Sequence, residues 1–221
     1  MSATTLALRD TTIGKKAIMA VTGVVLVGFV IGHMIGNLNA YAGREAFNAY
    51  AAFLHSMPGL LWVARIVLLA SVGLHIWAAV SLVRQNRAAR PVRYQVQQHQ
   101  VTSYAARVMP LGGLILALFI VFHLLHLTTG HLAPGEFRGW QDAYHNFVVG
   151  FQNPAISGIY VIANACLGLH LYHGVWSMLQ SLGLNHPRYN IWRKRAALAV
   201  AVGVAGLNLS FPIAVLAGVI K

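Results

Sequence analysis

Five apolar runs, each long enough to cross a bilayer, constrain this chain more than any other feature. They are Ala17–Leu38, Gly59–Val83, Val108–Thr128, Pro154–Leu179 and Ala196–Ile220. A hydrocarbon layer of roughly 30 Å takes about 20 helical residues to cross. Within lipid the backbone must satisfy its hydrogen bonds internally, so these Leu-, Val-, Ala- and Gly-rich runs are predicted to be helices. Composition closes off the soluble alternative. Only 9% of the 221 residues are charged, against about 25% in an ordinary soluble domain. A water-facing surface cannot be built from so few charges, which excludes a soluble globular enzyme. The expected fold is an all-α integral membrane bundle of five transmembrane helices, with residues 1–221 forming one membrane domain. The first run exceeds the apolar core of a cleaved signal peptide and is not followed by a soluble domain, so it reads as a retained span.

The few charges are lopsided. Sixteen Lys and Arg face four acids, Asp10, Glu45, Glu136 and Asp142, for a formal +12. Nucleic-acid binders carry such charge on a solvated face, whereas here it lies between apolar runs. Arg9, Lys15, Lys16, Arg84, Arg87, Arg90, Arg93, Arg107, Arg188, Arg193, Lys194 and Arg195 fall on one side of the predicted bundle; Arg44, Arg138 and Lys221 fall on the other. By the positive-inside rule this puts the N-terminus in the cytoplasm. The two outer loops, Asn39–Pro58 and Thr129–Asn153, hold three of the acids and many aromatics, among them Tyr41, Phe47, Trp140 and Tyr144. They are expected to lie along the membrane interface. The single cysteine, Cys166, leaves no disulfide framework, thiolate cluster or zinc ribbon available.

Eleven histidines against four acids is the functional clue. Four of the five runs carry a histidine deep inside: His33, His75, His123 and His170. Polar side chains within the membrane are costly and usually face the bundle interior. A lone one is commonly a packing residue, but four on four helices call for another account. At 1.5 Å per residue, His33 and His123 lie roughly 24 and 22 Å from the inner edge. His75 and His170 lie roughly 13 and 14 Å from it. The histidines therefore sort into two pairs at two depths, the arrangement required for bis-imidazole ligation of two haem irons. Zinc or di-iron centres would want carboxylates or further ligands at one level, and proton relays usually mix in Asp or Glu; the runs contain no acid. His126 and His173 each follow a candidate by three residues and share its face. Spacing alone leaves either member of each couple open; depth matching favours His123 and His170. Gly28, Gly32, Gly36, Gly73, Gly168 and Gly174 flank these histidines, which suits either a flat macrocycle or close helix packing.

These residues also carry a resemblance. The stretches G-H-M-I-G-N-L, A-G-R-E-A-F-N and S-M-P within 32–58, L-H-I-W-A-A-V in the second run, V-F-H-L in the third and L-H-L-Y-H-G-V-W-S in the fourth occur in order. Taken together, they resemble the one-chain, dihaem cytochrome b subunit that anchors bacterial succinate dehydrogenases and fumarate reductases to the cytoplasmic membrane. The likeness extends over all five runs. It implies two haem b groups with axial ligands at His33 and His123 for the outer one, and His75 and His170 for the inner. It implies a flavoprotein and an iron–sulfur subunit docked on the cytoplasmic side, a quinone (menaquinone by family habit) as electron-transfer substrate, and room for a higher oligomer of the complex. Against that background Arg65, roughly 9 Å inside the second span, is a candidate propionate partner or a snorkelling side chain. His126 and His173 are candidate neighbours of the cofactors. His55 could exchange protons with a quinone, although some family members carry an acid hereabouts. The expected role is electron transfer, without substrate chemistry of the chain's own. Rivals are the dihaem anchor of a formate dehydrogenase or hydrogenase, a transporter relaying protons through histidine, and a haemless anchor.

Overall fold

The computed structural model describes residues 7–89 and 104–221. Arg90 and Arg93, used above for orientation, lie outside the described residues. Among the described residues seven α-helices follow one another: α1 Thr12–Asn37, α2 Arg44–His55, α3 Pro58–Ala88, α4 Tyr104–His123, α5 Ala143–Gln152, α6 Pro154–Ser181 and α7 Asn190–Leu216. Five of them, with their short extensions, are long and apolar enough to cross a membrane.

Local chemistry sets where the helices begin. The Thr11 hydroxyl accepts from Gly14 N–H at 3.0 Å and caps α1. Asn153 caps α6 through Ala155 and Ile156 N–H, with Pro154 at the first helical position. Pro58 likewise opens α3. The chain turns from α1 into α2 through Gly43, whose φ of 95° belongs to the left-handed region. α7, the last of the five long helices, begins at Asn190, six residues ahead of the apolar run at Ala196. Its first turns carry Arg193, Lys194 and Arg195, which hydropathy excludes but a helix accommodates. The run's last residues, Ala217–Ile220, leave the helix at Gly218, φ 72°. α4 is prolonged by one π turn over Leu124–Thr128, closed by Thr129 N–H on the Leu124 carbonyl at 3.0 Å.

The packing is a four-helix arrangement with a buttress. α1 packs along α3 and α6, α6 along α4, and α7 against α6. Around the ring the order is α3, α1, α6, α4, so α1–α4 and α3–α6 are the two diagonals. Neither diagonal, nor the α3–α4 side, shows extended packing among the described residues. The exterior is apolar: Leu60, Val63, Ile66 and Leu69 on α3, and Leu111, Leu114 and Leu118 on α4, are each more than half exposed. On a soluble protein such a surface would aggregate; it suits lipid.

The two ends differ. Lys15, Arg84, Arg107 and Arg193 mark the basic end. At the other, α2 and α5 fold over the bundle on a buried core of Phe47, Tyr144, Phe147, Phe151, Tyr160 and Phe211. The loops Asn39–Pro58 and Thr129–Asn153 thus carry short helices that form a lid, the capped end of the molecule.

Candidate functional site

The histidine pairs fall on the diagonals. The His33 ring on α1 meets that of His123 on α4, centres 5.8 Å apart and planes at 86°. The His75 ring on α3 meets that of His170 on α6, centres 6.3 Å apart and planes at 53°. The first pair lies toward the capped end and the second toward the basic end. Thr22, which binds His75, and His33 are eleven residues apart on α1, roughly 16 Å along the helix.

Hydrogen bonds assign which ring nitrogen bears the proton. The Thr22 hydroxyl donates to the Ile18 carbonyl at 2.8 Å, so its oxygen can only accept from His75 Nδ1–H at 3.0 Å. A neutral His75 then holds its lone pair on Nε2, the form that binds a metal, with Nδ1–H anchored to an acceptor. On His33, Nε2 accepts from the Asn37 side-chain amide at 3.3 Å, which places that ring's lone pair on Nε2 as well. Phe29 stacks on the His33 ring at 5.4 Å.

His123 and His126 share one hydroxyl. Their Nδ1 atoms lie 3.0 and 2.9 Å from Tyr160 Oη. A phenol has a single proton, so it donates to one ring while the other ring can donate to it. The π turn between the two histidines gives them different surroundings. His126 is fully buried, its Nε2 has no partner, and a Cβ at Gly150 on α5 would lie 2.6 Å from that nitrogen. It is wedged against the lid, and the hydrogen-bonded chain from His123 stops there. Of the couple left open by spacing, it is His123 that faces His33. At the other level His170 faces His75, while His173 turns toward Trp176, ring centres 6.5 Å apart. The Nδ1 atoms of His170 and His173 are both buried without a partner.

The flanking glycines divide. A Cβ at Gly36 would strike Tyr50 at 2.5 Å, and one at Gly168 would meet Ala205 at 3.0 Å, so these serve helix packing. A Cβ at Gly28, Gly32, Gly73 or Gly174 would meet nothing within 4 Å. Beside His170 a cavity of about 160 Å³ opens between α4 and α6, lined by Val108, Gly112, Ile115, Cys166 and Leu169. Sites for small molecules are typically larger, about 300–1,000 Å³, so this cavity could take only one edge of a cofactor.

The residues present fit haem better than a bare ion. Two imidazoles on opposite faces of one metal, each nitrogen at about 2 Å, put their ring centres about 6 Å apart, and both pairs have that spacing. Among the described residues no group of three or more His, Cys, Asp and Glu could hold an ion alone. Each pair would hold a haem through its two imidazoles, the macrocycle supplying the iron's remaining ligands.

Arg65 and His55 sit near the capped end. The Arg65 guanidinium lies over the Trp62 ring, 5.1 Å from its centre, a cation–π contact. His55 Nδ1–H donates to the Ala51 carbonyl at 2.9 Å, and its ring stacks on Trp140 at 4.8 Å and 11°. Sequence reasoning did not find Thr22, Tyr160 or Asn37, whose links to the histidines are visible only in three dimensions. The chain matches no protein-family model, no curated protein and no solved structure.

Proposed function

We propose that this chain is a dihaem cytochrome b of the bacterial cytoplasmic membrane, the anchor subunit of a succinate:quinone oxidoreductase. One observation carries the haem part: two histidine pairs, one toward each end, facing across the diagonals of one bundle with ring centres 5.8 and 6.3 Å apart. Bound haem b would supply a one-electron couple at each level. The chain's residues supply the rest. His33 and His123 bind at the capped end, His75 and His170 at the basic end. Thr22 orients His75, and Tyr160 orients His123. The apolar exterior and the lid of α2 and α5 keep water from the path. The succinate and menaquinone assignment rests on the family resemblance. The basic end supports a cytoplasmic N-terminus by the positive-inside rule, and exposed Arg188, Lys194 and Arg195 there suit the acidic surface of an iron–sulfur partner.

The test is a dithionite-reduced minus oxidised spectrum of the purified chain, with haem quantified as pyridine haemochrome. The expected result is two haem b per chain, falling to one in His33→Ala and to one in His75→Ala. A colourless protein reconstituted with haem in excess would end the reading. Flavin and succinate activity in the co-purified complex would assign the partners; molybdenum or nickel would assign the chain to another dehydrogenase.

A further inference from the structure

At the basic end of α7 a buried cation lacks a counter-charge. Arg193 is only 7% exposed. Its Nη2 donates to Asn185 Oδ1 at 2.8 Å and to Asn190 Oδ1, while Nε and Nη1 are buried with no partner. A guanidinium stays charged at every physiological pH, and a buried charge without its pair is strongly unfavourable. Among the described residues no carboxylate pairs with it. Glu45, Glu136 and Asp142 stand at the capped end, Asp10 is exposed ahead of α1, and residues 90–103 contain no acid. The neutralising group must come from outside the chain.

Three observations indicate its chemistry. The 27-residue α7 starts at Asn190 without a side-chain cap, and the N-terminal end of a helix favours an anion. Lys194 lies over Trp176 and Arg195 over Trp192, at 5.1 and 5.2 Å, which adds positive charge around Arg193. Tyr189 and Trp192 are 55% and 62% exposed, the aromatic placement expected at headgroup depth. From there Leu198 and Val202 continue the exposed apolar face of α7 into the bilayer. We propose that Arg193 and the first turn of α7 bind the phosphate of an anionic phospholipid, whose acyl chains lie along α7. This proposal is independent of the haem reading.

Delipidated chain is offered mixtures of phosphatidylglycerol and phosphatidylcholine, and the lipid retained is counted by native mass spectrometry. Wild type is expected to prefer phosphatidylglycerol about tenfold, since hydrogen bonds to charged groups are the strong ones. Arg193→Gln should abolish the preference, whereas Arg84→Gln, which removes the same charge at the same end of the bundle but from α3, should keep it. Asn190→Asp places a carboxylate on Arg193 from within the chain. That variant should also lose the preference while retaining the far-UV helical spectrum, so the test survives if Arg193→Gln fails to fold. Wild-type preference in Arg193→Gln and Asn190→Asp, or equal loss in Arg84→Gln, would overturn the proposal. So would full competition by inorganic phosphate, which would make free phosphate the ligand. A lack of preference in the isolated chain, with Arg193 shielded from phenylglyoxal only in the assembled complex, would hand the site to a partner's carboxylate.

Discussion

A single hydroxyl proton decides the chemistry of His75. Because Thr22 donates to the backbone of its own helix, it can only accept from the imidazole, and the lone pair of His75 is left on Nε2. Partners of this kind raise ligand basicity, and their loss typically costs about 10–100-fold in metal affinity. Thr22→Val preserves the volume and removes the acceptor. In a His33→Ala background, where one level remains, haem titration should show affinity weakened by that factor in Thr22→Val and restored in Thr22→Ser. Equal affinity in all three would show that Thr22 does not hold the ring. The four facing histidines were legible in the sequence because an imidazole inside an apolar run is conspicuous. Thr22 and Tyr160 were not, because hydroxyl side chains are ordinary in membrane helices and their partners lie 53 and 34–37 positions away. Spacing could not separate His123 from His126 either. The π turn and the approach of α5 through Gly150 made that distinction, and neither has a sequence signature.

The lid is a case of elements held together by one acid. Asp142 caps α5 through His145 N–H at 3.3 Å and accepts from Asn48 at 3.0 Å and Arg44 at 2.6 Å on α2. Asn48 in turn accepts from Tyr144 N–H at 2.9 Å. Burial pushes the Asp142 carboxyl up, but the bonds from Asn48 and the His145 N–H, with Arg44 and Arg138 beside it, outweigh that and hold it below the ordinary carboxylate value. A carboxyl with a lowered folded-state pKa contributes stability above its unfolded value, about 3.9, and loses it as pH falls through the folded value. Asp142→Asn should therefore cost about 1 kcal/mol near neutrality, a loss of roughly 2–4 °C in Tm. The gap to wild type should close on acidification from about pH 4 downward. A gap unchanged down to about pH 2 would assign the contribution to packing on the aromatic core instead. The sequence placed these loops at the interface from their acids and aromatics. Their short helices and the tie across 94–98 positions were hidden, as was the start of α7 at Asn190, because hydropathy marks the extent of the lipid phase and not that of the helix.

At the scale of the molecule, α3 and α4 are the weakly held members. α3 packs extensively on α1 alone and α4 on α6 alone, and their shared side is unpacked among the described residues. Each has one further link across the bundle, His75 to His170 for α3 and His123 to His33 for α4. α6, gripped by α1, α4 and α7, needs no such link. Local opening follows local packing, and a ligand that binds only the closed form suppresses opening in proportion to its concentration over Kd. Hydrogen exchange of the haem-loaded chain against the haem-free chain should then show faster exchange confined to α3 and α4 on haem loss, with α6 and α7 unchanged. The single variants sharpen the expectation: His33→Ala should release α4 and leave α3 protected, and His75→Ala should do the reverse. Uniform release of all five spanning helices would mean that the bundle opens as one unit. No release in either helix would mean that the diagonals bear no part of the fold, and the case for metal bridging across them would fall with it.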